Sequence, residues 1–122
     1  MPLVDHDVLR DLAGVSADSG SRFVLELAEV FTADARGTIE RMRACARRGD
    51  CGTLAREAHR LKGSSGTLGA VGLAGACLEI ERRARAGACG DAETRVDEAL
   101  ALLDATRGGI TEFFRGTIDR AS

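Results

Sequence analysis

The residues of this 122-residue chain that are best suited to chemistry lie in one short stretch, Glu57–Gly66. At about 100° per residue in a helix, four of them share one face: His59, Lys62, Gly63 and Gly66. The opposite face is mostly apolar and consists of Leu54, Ala58, Leu61, Ser65 and Leu68. The pattern therefore predicts a helix that buries its apolar face and directs His59 outward.

An exposed imidazole is a candidate nucleophile, because a large fraction of it is unprotonated near neutral pH. Lys62 follows His59 by one helical turn, close enough for its ammonium to pair with an anionic group on the histidine. It is also the only lysine among the 17 basic residues of the chain. Gly63, at position i+4, removes a side chain that would block a partner. These residues predict a histidine that accepts a phosphoryl group from another protein.

Composition limits the remaining possibilities. A chain of this length, with 44% hydrophobic and 30% charged residues, is typical of one globular domain, here residues 1–122. The net charge of −2 and the low aromatic content of 3% argue against nucleic-acid binding. No apolar run approaches the roughly 20 residues of a membrane span, and the acidic start is unlike a secretory signal. We therefore expect a cytoplasmic protein that does not bind membranes.

The helical pattern extends over almost the whole chain, since Pro2 is the only proline and strand signals are absent. A short first helix over residues 5–13 is expected to cap one end of the fold. Four long helices follow, over about residues 21–48, 51–68, 70–86 and from 91 towards Ile118, with a bend or loosened turn at Gly108-Gly109. The short turns at Gly49-Asp50 and near Gly69 and Gly87 predict an all-α, antiparallel up-down-up-down four-helix bundle.

The apolar spacing also predicts which side of the first long helix is buried. The expected stripe consists of Phe23, Leu27, Val30, Phe31, Ala35, Ile39, Met42 and Ala46. On the third long helix, Leu73, Cys77, Ile80 and Ala84 are expected to face inward. The arginines at its end, Arg82, Arg83 and Arg85, are interpreted as a solvated helix terminus.

The four cysteines, Cys45, Cys51, Cys77 and Cys89, form no C-x-x-C pair and no compact zinc spacing. We therefore expect free thiols, with Cys77 packed in the core, and neither a disulfide framework nor a metal site.

The segment Ala58-His59-Arg60-Leu61-Lys62-Gly63-Ser64-Ser65, followed by Gly69-Ala70, Leu73, Cys77 and Leu78-Glu79, resembles the signature of histidine-containing phosphotransfer (HPt) domains. The resemblance implies that His59 is phosphorylated by a receiver-domain aspartate and passes the group to another receiver. It further implies that Lys62 is the cation beside the phosphoryl group and that Gly63 admits the receiver.

The same resemblance extends to the surroundings of the histidine. Ser64 and Ser65 would support the local helix, and Ser64 and Gly66 would join Gly63 at the partner-binding face. Glu81 falls where some members place a polar residue that hydrogen-bonds the histidine ring, so its carboxylate could orient the imidazole.

The expected partners are response-regulator receiver domains and a hybrid histidine kinase, with this chain as a monomer. No G-x-x-x-x-G-K loop is present, so we expect no ATP site and no cofactor in this chain, and Mg²⁺ in the receiver. Two alternatives stay open: an interaction module that accepts no phosphate, and a metal-binding bundle. The second requires an inward Glu-x-x-His pair, but Arg56 occupies the position of the glutamate before His59.

Overall fold

The computed structural model describes residues 3–14 and 20–121, with side chains up to Arg115. Five helices follow one another: α1 (His6–Gly14), α2 (Gly20–Arg48), α3 (Cys51–Thr67), α4 (Val71–Arg85) and α5 (Ala92–Ala121). No strand occurs in these residues, so the predicted all-α class is confirmed. The linker expected between the first two helices spans Gly14–Gly20, and its residues 15–19 lie outside the described residues. Helix α5 continues through Gly108 and Gly109, where a loosened turn was expected.

The start of α3 is set by the turn that precedes it. Gly49 has a φ of 72°, a left-handed conformation that glycine adopts without steric cost, and it ends α2. Asp50 then caps α3, because its Oδ1 accepts a hydrogen bond of 3.1 Å from the backbone N–H of Thr53. This hydrogen bond lowers the pKa of Asp50. The cap fixes the helix on which His59 follows about two turns later.

The turn between α3 and α4 is covered by the N-terminal segment. The backbone N–H of Asp5 donates to the carbonyl of Gly69 at 2.8 Å, and that of Gly72 donates to the carbonyl of Leu3 at 3.1 Å. A Cβ atom at Gly69 would lie 3.0 Å from Cβ of Val8, and one at Gly72 would lie 2.7 Å from Cδ1 of Leu3. Gly69 in the turn and Gly72 at the start of α4 therefore make room for the segment that leads into α1.

The buried stripe of α2 is not the predicted one over its first half. Val24, Ala28 and Thr32 are buried there, whereas Phe23 is 42% and Val30 60% exposed. From Ala35 to Met42 the prediction agrees with the structure. The reason is a change of neighbours along the helix. The first half packs in a cluster with Leu9, Leu68, Ile110 and Phe114. The second half packs in the main core between α3, α4 and α5.

Ion pairs connect α2 to α5 along their exposed seam. Residue numbers rise along α2 as they fall along α5, so the two helices run antiparallel. The pairs are Arg36–Asp104 at 2.8 Å, Arg43–Asp97 at 2.7 Å, Arg47–Glu93 at 2.6 Å and Glu29–Arg107 at 2.8 Å. The three pairs other than Arg43–Asp97 are exposed on both sides, and such pairs contribute at most about 1 kcal/mol each.

The expectation of four free thiols is wrong. Cys51 and Cys89 form a disulfide that joins the start of α3 to the α4–α5 turn, with their Cα atoms 6.1 Å apart. Sequence spacing did not show the pair, because the antiparallel return of α4 brings the two positions together. Cys45 and Cys77 are free and buried, and burial raises the pKa of the Cys77 thiol to about 12. Cys77 is thus packed in the core, as predicted.

Within residues 3–14 and 20–121, no helix combines the length and hydrophobicity that crossing a bilayer requires.

Candidate functional site

His59 lies on the outer face of α3, and its side chain is 58% exposed. Ala58, Leu61 and Ser65, on the inner face of the same helix, are buried. Two of these are apolar side chains of the main core, which they share with α2, α4 and α5. The packing of this inner face holds α3 in place and thereby presents the imidazole at the surface.

Glu81 of α4 lies beside the imidazole, with its Oε2 2.9 Å from Nδ1 of His59. Its side chain is only 8% exposed. The same oxygen accepts a hydrogen bond of 2.9 Å from Nε of Arg85 and forms an ion pair with its Nη2 at 2.7 Å. The other oxygen, Oε1, accepts one from Nζ of Lys62 at 3.3 Å. A buried carboxylate therefore links three side chains from two helices.

The surroundings of Glu81 keep it ionised. Burial alone would raise the pKa of this carboxyl, but hydrogen bonds from Arg85, Lys62 and His59 outweigh burial. Together they lower the pKa from 4.5 to about 2. At neutral pH the group is thus a carboxylate that can only accept hydrogen bonds.

The charge of Glu81 decides which imidazole nitrogen carries the proton. Because the carboxylate has no proton to donate, Nδ1 of His59 must donate, and in the neutral ring Nε2 then holds the free lone pair. The imidazole is oriented with that nitrogen available to a reactant from solvent. The hydrogen bond thus provides an oriented nucleophile on a rigid helix.

Lys62 has a side chain that is 32% exposed, and its ammonium rests on Glu81. The ammonium is therefore held on the α4 side of His59, by the same carboxylate that contacts the imidazole. Since the hydrogen bond to Oε1 uses one of its three N–H groups, others can still bind an incoming anion.

The glycines beside His59 have no side chain, so the helix backbone is exposed there. Gly63 and Gly66 are exposed, and a Cβ atom at either position would meet nothing within 4 Å. Packing within the chain therefore gives no reason for glycine at these positions. In a helix each glycine costs up to about 1 kcal/mol relative to alanine.

The two serines after Gly63 differ in their surroundings. The hydroxyl of Ser64 lies 3.3 Å from the carbonyl oxygens of both Arg60 and Leu61, so it turns back onto its own helix. Ser65 is buried, and its hydroxyl has no hydrogen-bond partner among the described residues. Its carbonyl accepts a hydrogen bond from the N–H of Ala70 at 2.8 Å, which helps to close the α3–α4 turn.

Arg85 belongs to the site, although its place beside Arg82 and Arg83 in the sequence indicates only a solvated helix end. The two neighbours do pair elsewhere, with Glu79, at 3.7 Å and 2.9 Å. The spacing i, i+4 between Glu81 and Arg85 is the signal that could have separated it from them.

No cluster of three or more histidine, cysteine or acidic residues that could hold a metal ion occurs in the described part of the chain. The second histidine, His6, is stacked on Phe113 with ring centroids 4.7 Å apart. This places it at the α1–α5 contact.

A helical chain that presents an oriented histidine beside a lysine and bare glycines has the features of a phosphotransfer domain. The family model of the Hpt domain matches residues 26–109, and the chain belongs to this family. This membership gives it a phosphotransfer role in two-component signalling.

Among solved structures, the chain is similar to the crystal structure of histidine-containing phosphotransfer protein B (HptB) from Pseudomonas aeruginosa PAO1. The two are 30% identical with a TM-score of 0.80, and the match covers 93% of this chain and 96% of that one. Comparison with curated protein sequences gave no match.

Proposed function

We propose that this chain is a phosphorelay intermediate, in which His59 accepts a phosphoryl group from a receiver-domain aspartate and passes it to a second receiver. The observation that carries the proposal is the 2.9 Å hydrogen bond between Nδ1 of His59 and Glu81. It leaves Nε2 with a free lone pair on an exposed imidazole.

The transfer step is a displacement at phosphorus. The lone pair of Nε2 forms the N–P bond, the bond from phosphorus to the aspartyl oxygen breaks, and the aspartate carboxylate leaves with the electron pair. The imidazole ring gains positive charge during attack, and the carboxylate of Glu81 stabilises that charge through the Nδ1 proton. The reverse sequence transfers the group from Nε2 to the aspartate of the next receiver.

Lys62 would act on the phosphoryl oxygens. Its ammonium is positioned at 3.3 Å by Glu81, the carboxylate that also contacts the imidazole. A compact charge on a flexible stem can follow the phosphoryl group as it moves from oxygen to nitrogen. The ammonium would stabilise the negative charge that accumulates on the phosphoryl oxygens in the transition state.

The other reactants belong to the partners. The phosphoramidate on His59 and the acyl phosphate on the receiver are both high-energy linkages, so transfer would be reversible. Mg²⁺ bound in the receiver and its aspartate pocket would supply much of the transition-state stabilisation.

This chain would contribute no nucleotide or metal of its own, and a hybrid histidine kinase would be the source of phosphate. We place the protein in the cytoplasm, as a monomer.

The predicted up-down-up-down order of α2, α3, α4 and α5 is part of the same proposal. Helix α2 contacts α3 and α5, and α4 contacts the same two helices, which is the adjacency such a bundle requires. Short turns between successive helices favour antiparallel neighbours.

The experiment is transfer from a receiver domain that carries a ³²P-labelled aspartyl phosphate. The wild-type chain should acquire an acid-labile, base-stable phosphoryl group, and ¹⁵N NMR should locate it on Nε2. His59→Gln should remain unlabelled. Equal labelling of both forms would show that the site is assigned to the wrong residue. Binding of a receiver without any labelling would instead favour an interaction module.

A further inference from the structure

The cations on the two sides of His59 differ in how they are paired within the chain. On the α4 side, every cation is engaged by a carboxylate: Lys62 and Arg85 by Glu81, and Arg82 and Arg83 by Glu79. Those charges are therefore partly neutralised within the chain.

The opposite side carries two arginines with spare charge. The guanidinium of Arg56 donates to Oγ1 of Thr53 at 3.1 Å, and among the described residues it pairs with no carboxylate. Arg60 is 72% exposed and lies 3.6 Å from Glu57, a carboxylate that Arg41 also contacts at 3.3 Å. Arg56 and Arg60 are therefore less engaged by carboxylates of the chain than the cations on the α4 side are.

Both arginines lie close to the nucleophile. They occupy positions i−3 and i+1 relative to His59 on α3. Arg56 leans towards Thr53 and Arg60 towards Glu57, on the side of the helix that faces α2 rather than α4. We call Arg56 and Arg60 the arginine flank.

An apolar side chain lies on the other side of the histidine. Leu78 of α4, one turn before Glu81, is 42% exposed. By helical position on α3, His59, Gly63 and Gly66 lie between the arginine flank and the side that faces α4, the helix that carries Leu78. The two sides of the nucleophile thus differ: one has arginines with little carboxylate pairing, and the other has an exposed leucine beside ion-paired side chains.

We propose that the phosphoryl-bearing partner docks with carboxylate side chains against Arg56 and Arg60 and an apolar patch against Leu78. This rests on the proposed function, since the partner is then a receiver domain. The chain as a whole has a net charge of −2 and would repel an acidic protein, so the arginine flank provides the local attraction. Opposite contacts on the two sides of His59 permit one docking orientation and exclude its reverse.

The test measures phosphoryl transfer to this chain from receiver domains charged with acetyl phosphate and Mg²⁺. The double variant Arg56→Ala/Arg60→Ala should lower kcat/KM by about 10-fold at low ionic strength, because complementary charges act mainly on association. The difference should shrink to less than about 2-fold in high salt, since salt screens exposed charges. The rate at saturating receiver should be unchanged.

The matched control is Arg36→Ala/Arg107→Ala, which removes the same charge from the α2–α5 seam and should leave kcat/KM within about 2-fold of wild type. Leu78→Ser should lower kcat/KM equally at low and high salt, because its contact is apolar. Circular dichroism would verify that every variant is helical.

Several outcomes would overturn the docking proposal. An equal loss in the control variant would show that net charge alone is responsible, and a lower saturating rate would mean that the arginines act in the chemical step. Unchanged kinetics in both arginine variants would place the partner elsewhere. Failure of wild type to accept phosphate would instead refute the proposed function. Binding of beryllofluoride-activated receiver to the same variants would then test the docking surface independently.

Discussion

Arg85 donates a hydrogen bond from Nε to Oε2 of Glu81, the same carboxylate oxygen that accepts the Nδ1 proton of His59, and its Nη2 forms an ion pair with that oxygen. The arginine does not touch the nucleophile, yet it fixes the position of the group that orients it. Lys62 holds the other oxygen of Glu81, so the carboxylate is restrained at both ends.

Arg85→Ala should therefore slow phosphoryl transfer without removing the phosphorylated residue. We expect a loss of about 10-fold, similar to that seen when outer partners of ligating histidines are removed. Quench-flow measurement of transfer and ¹⁵N NMR of the tautomer of the His59 ring would check this. Arg82→Ala, one turn away on the same helix end, is the matched control. A normal rate together with a disordered ring would contradict the prediction.

Glu81 should make the stability of the fold depend on pH in the acidic range. Its folded-state pKa of about 2 lies below the ordinary value of 4.5, so its contribution is fully present above pH 4.5. The contribution is lost as the pH falls from 4.5 towards 2. Glu81→Gln should remove this dependence, which amounts to at most about 3 kcal/mol. Urea unfolding at a series of pH values would measure it, with Glu98→Gln on the surface of α5 as control.

Lys62→Ala should slow transfer while the helical content stays intact, because the ammonium is partly exposed and its removal leaves no cavity. In an enclosed site, removing one hydrogen-bond donor to the charge that develops in the transition state lowers kcat by about 10²-fold or more. This site is open to solvent, and we expect a smaller loss of about 10-fold. Lys62→Arg should recover part of the rate. An unchanged rate in Lys62→Ala would exclude the electrostatic role.

Substitutions of Gly63 should affect the stability of the fold and the rate of phosphoryl transfer in opposite directions. No atom lies within 4 Å of a Cβ placed there, so Gly63→Ala should raise the free energy of unfolding by up to about 1 kcal/mol. Gly63→Gln should block approach to His59 and reduce transfer by more than 10-fold, on the order of 1.4 kcal/mol. Gly108→Ala on α5, also without neighbours within 4 Å, should stabilise the chain and leave transfer unchanged. Full activity of Gly63→Gln would show that the receiver approaches from another direction.

The disulfide between Cys51 and Cys89 should contribute strongly to stability. It closes a loop with a sequence separation of 38 residues, for which about 2–4 kcal/mol is typical. Cys51→Ser and Cys89→Ser should each lower the free energy of unfolding by this amount. Dithiothreitol should lower it in wild type and have no further effect in either variant. A wild-type chain indifferent to reductant would refute the bond in solution.

The sequence was sufficient for the parts of the structure that depend on local spacing. The period of α3 alone separated His59, Lys62 and Gly63 from the buried Ala58 and Leu61. The buried side of the first half of α2 could not be predicted in the same way. Both Phe23 and Val24 are apolar, and only the packing of Leu9 and Phe114 decides which of them is buried.

Contacts between helices were harder to predict than positions on one helix. The pairing of Cys51 with Cys89 depends on how α4 returns along α3, which spacing does not show. The place of Glu81 beside His59 was expected only from the family resemblance. Arg85 could have been found from the residues, since it follows that acid by four positions.

The disulfide has one further consequence for the site. The residues that converge on Glu81 all belong to α3 and α4, and Cys51 and Cys89 bracket this hairpin at its open end. The candidate site is thus contained in a covalently closed ring of the chain. Transient opening of the bundle that detaches α2 or α5 would leave the two halves of the site tethered, and in hydrogen exchange the hairpin amides would form the slowest unit of the fold.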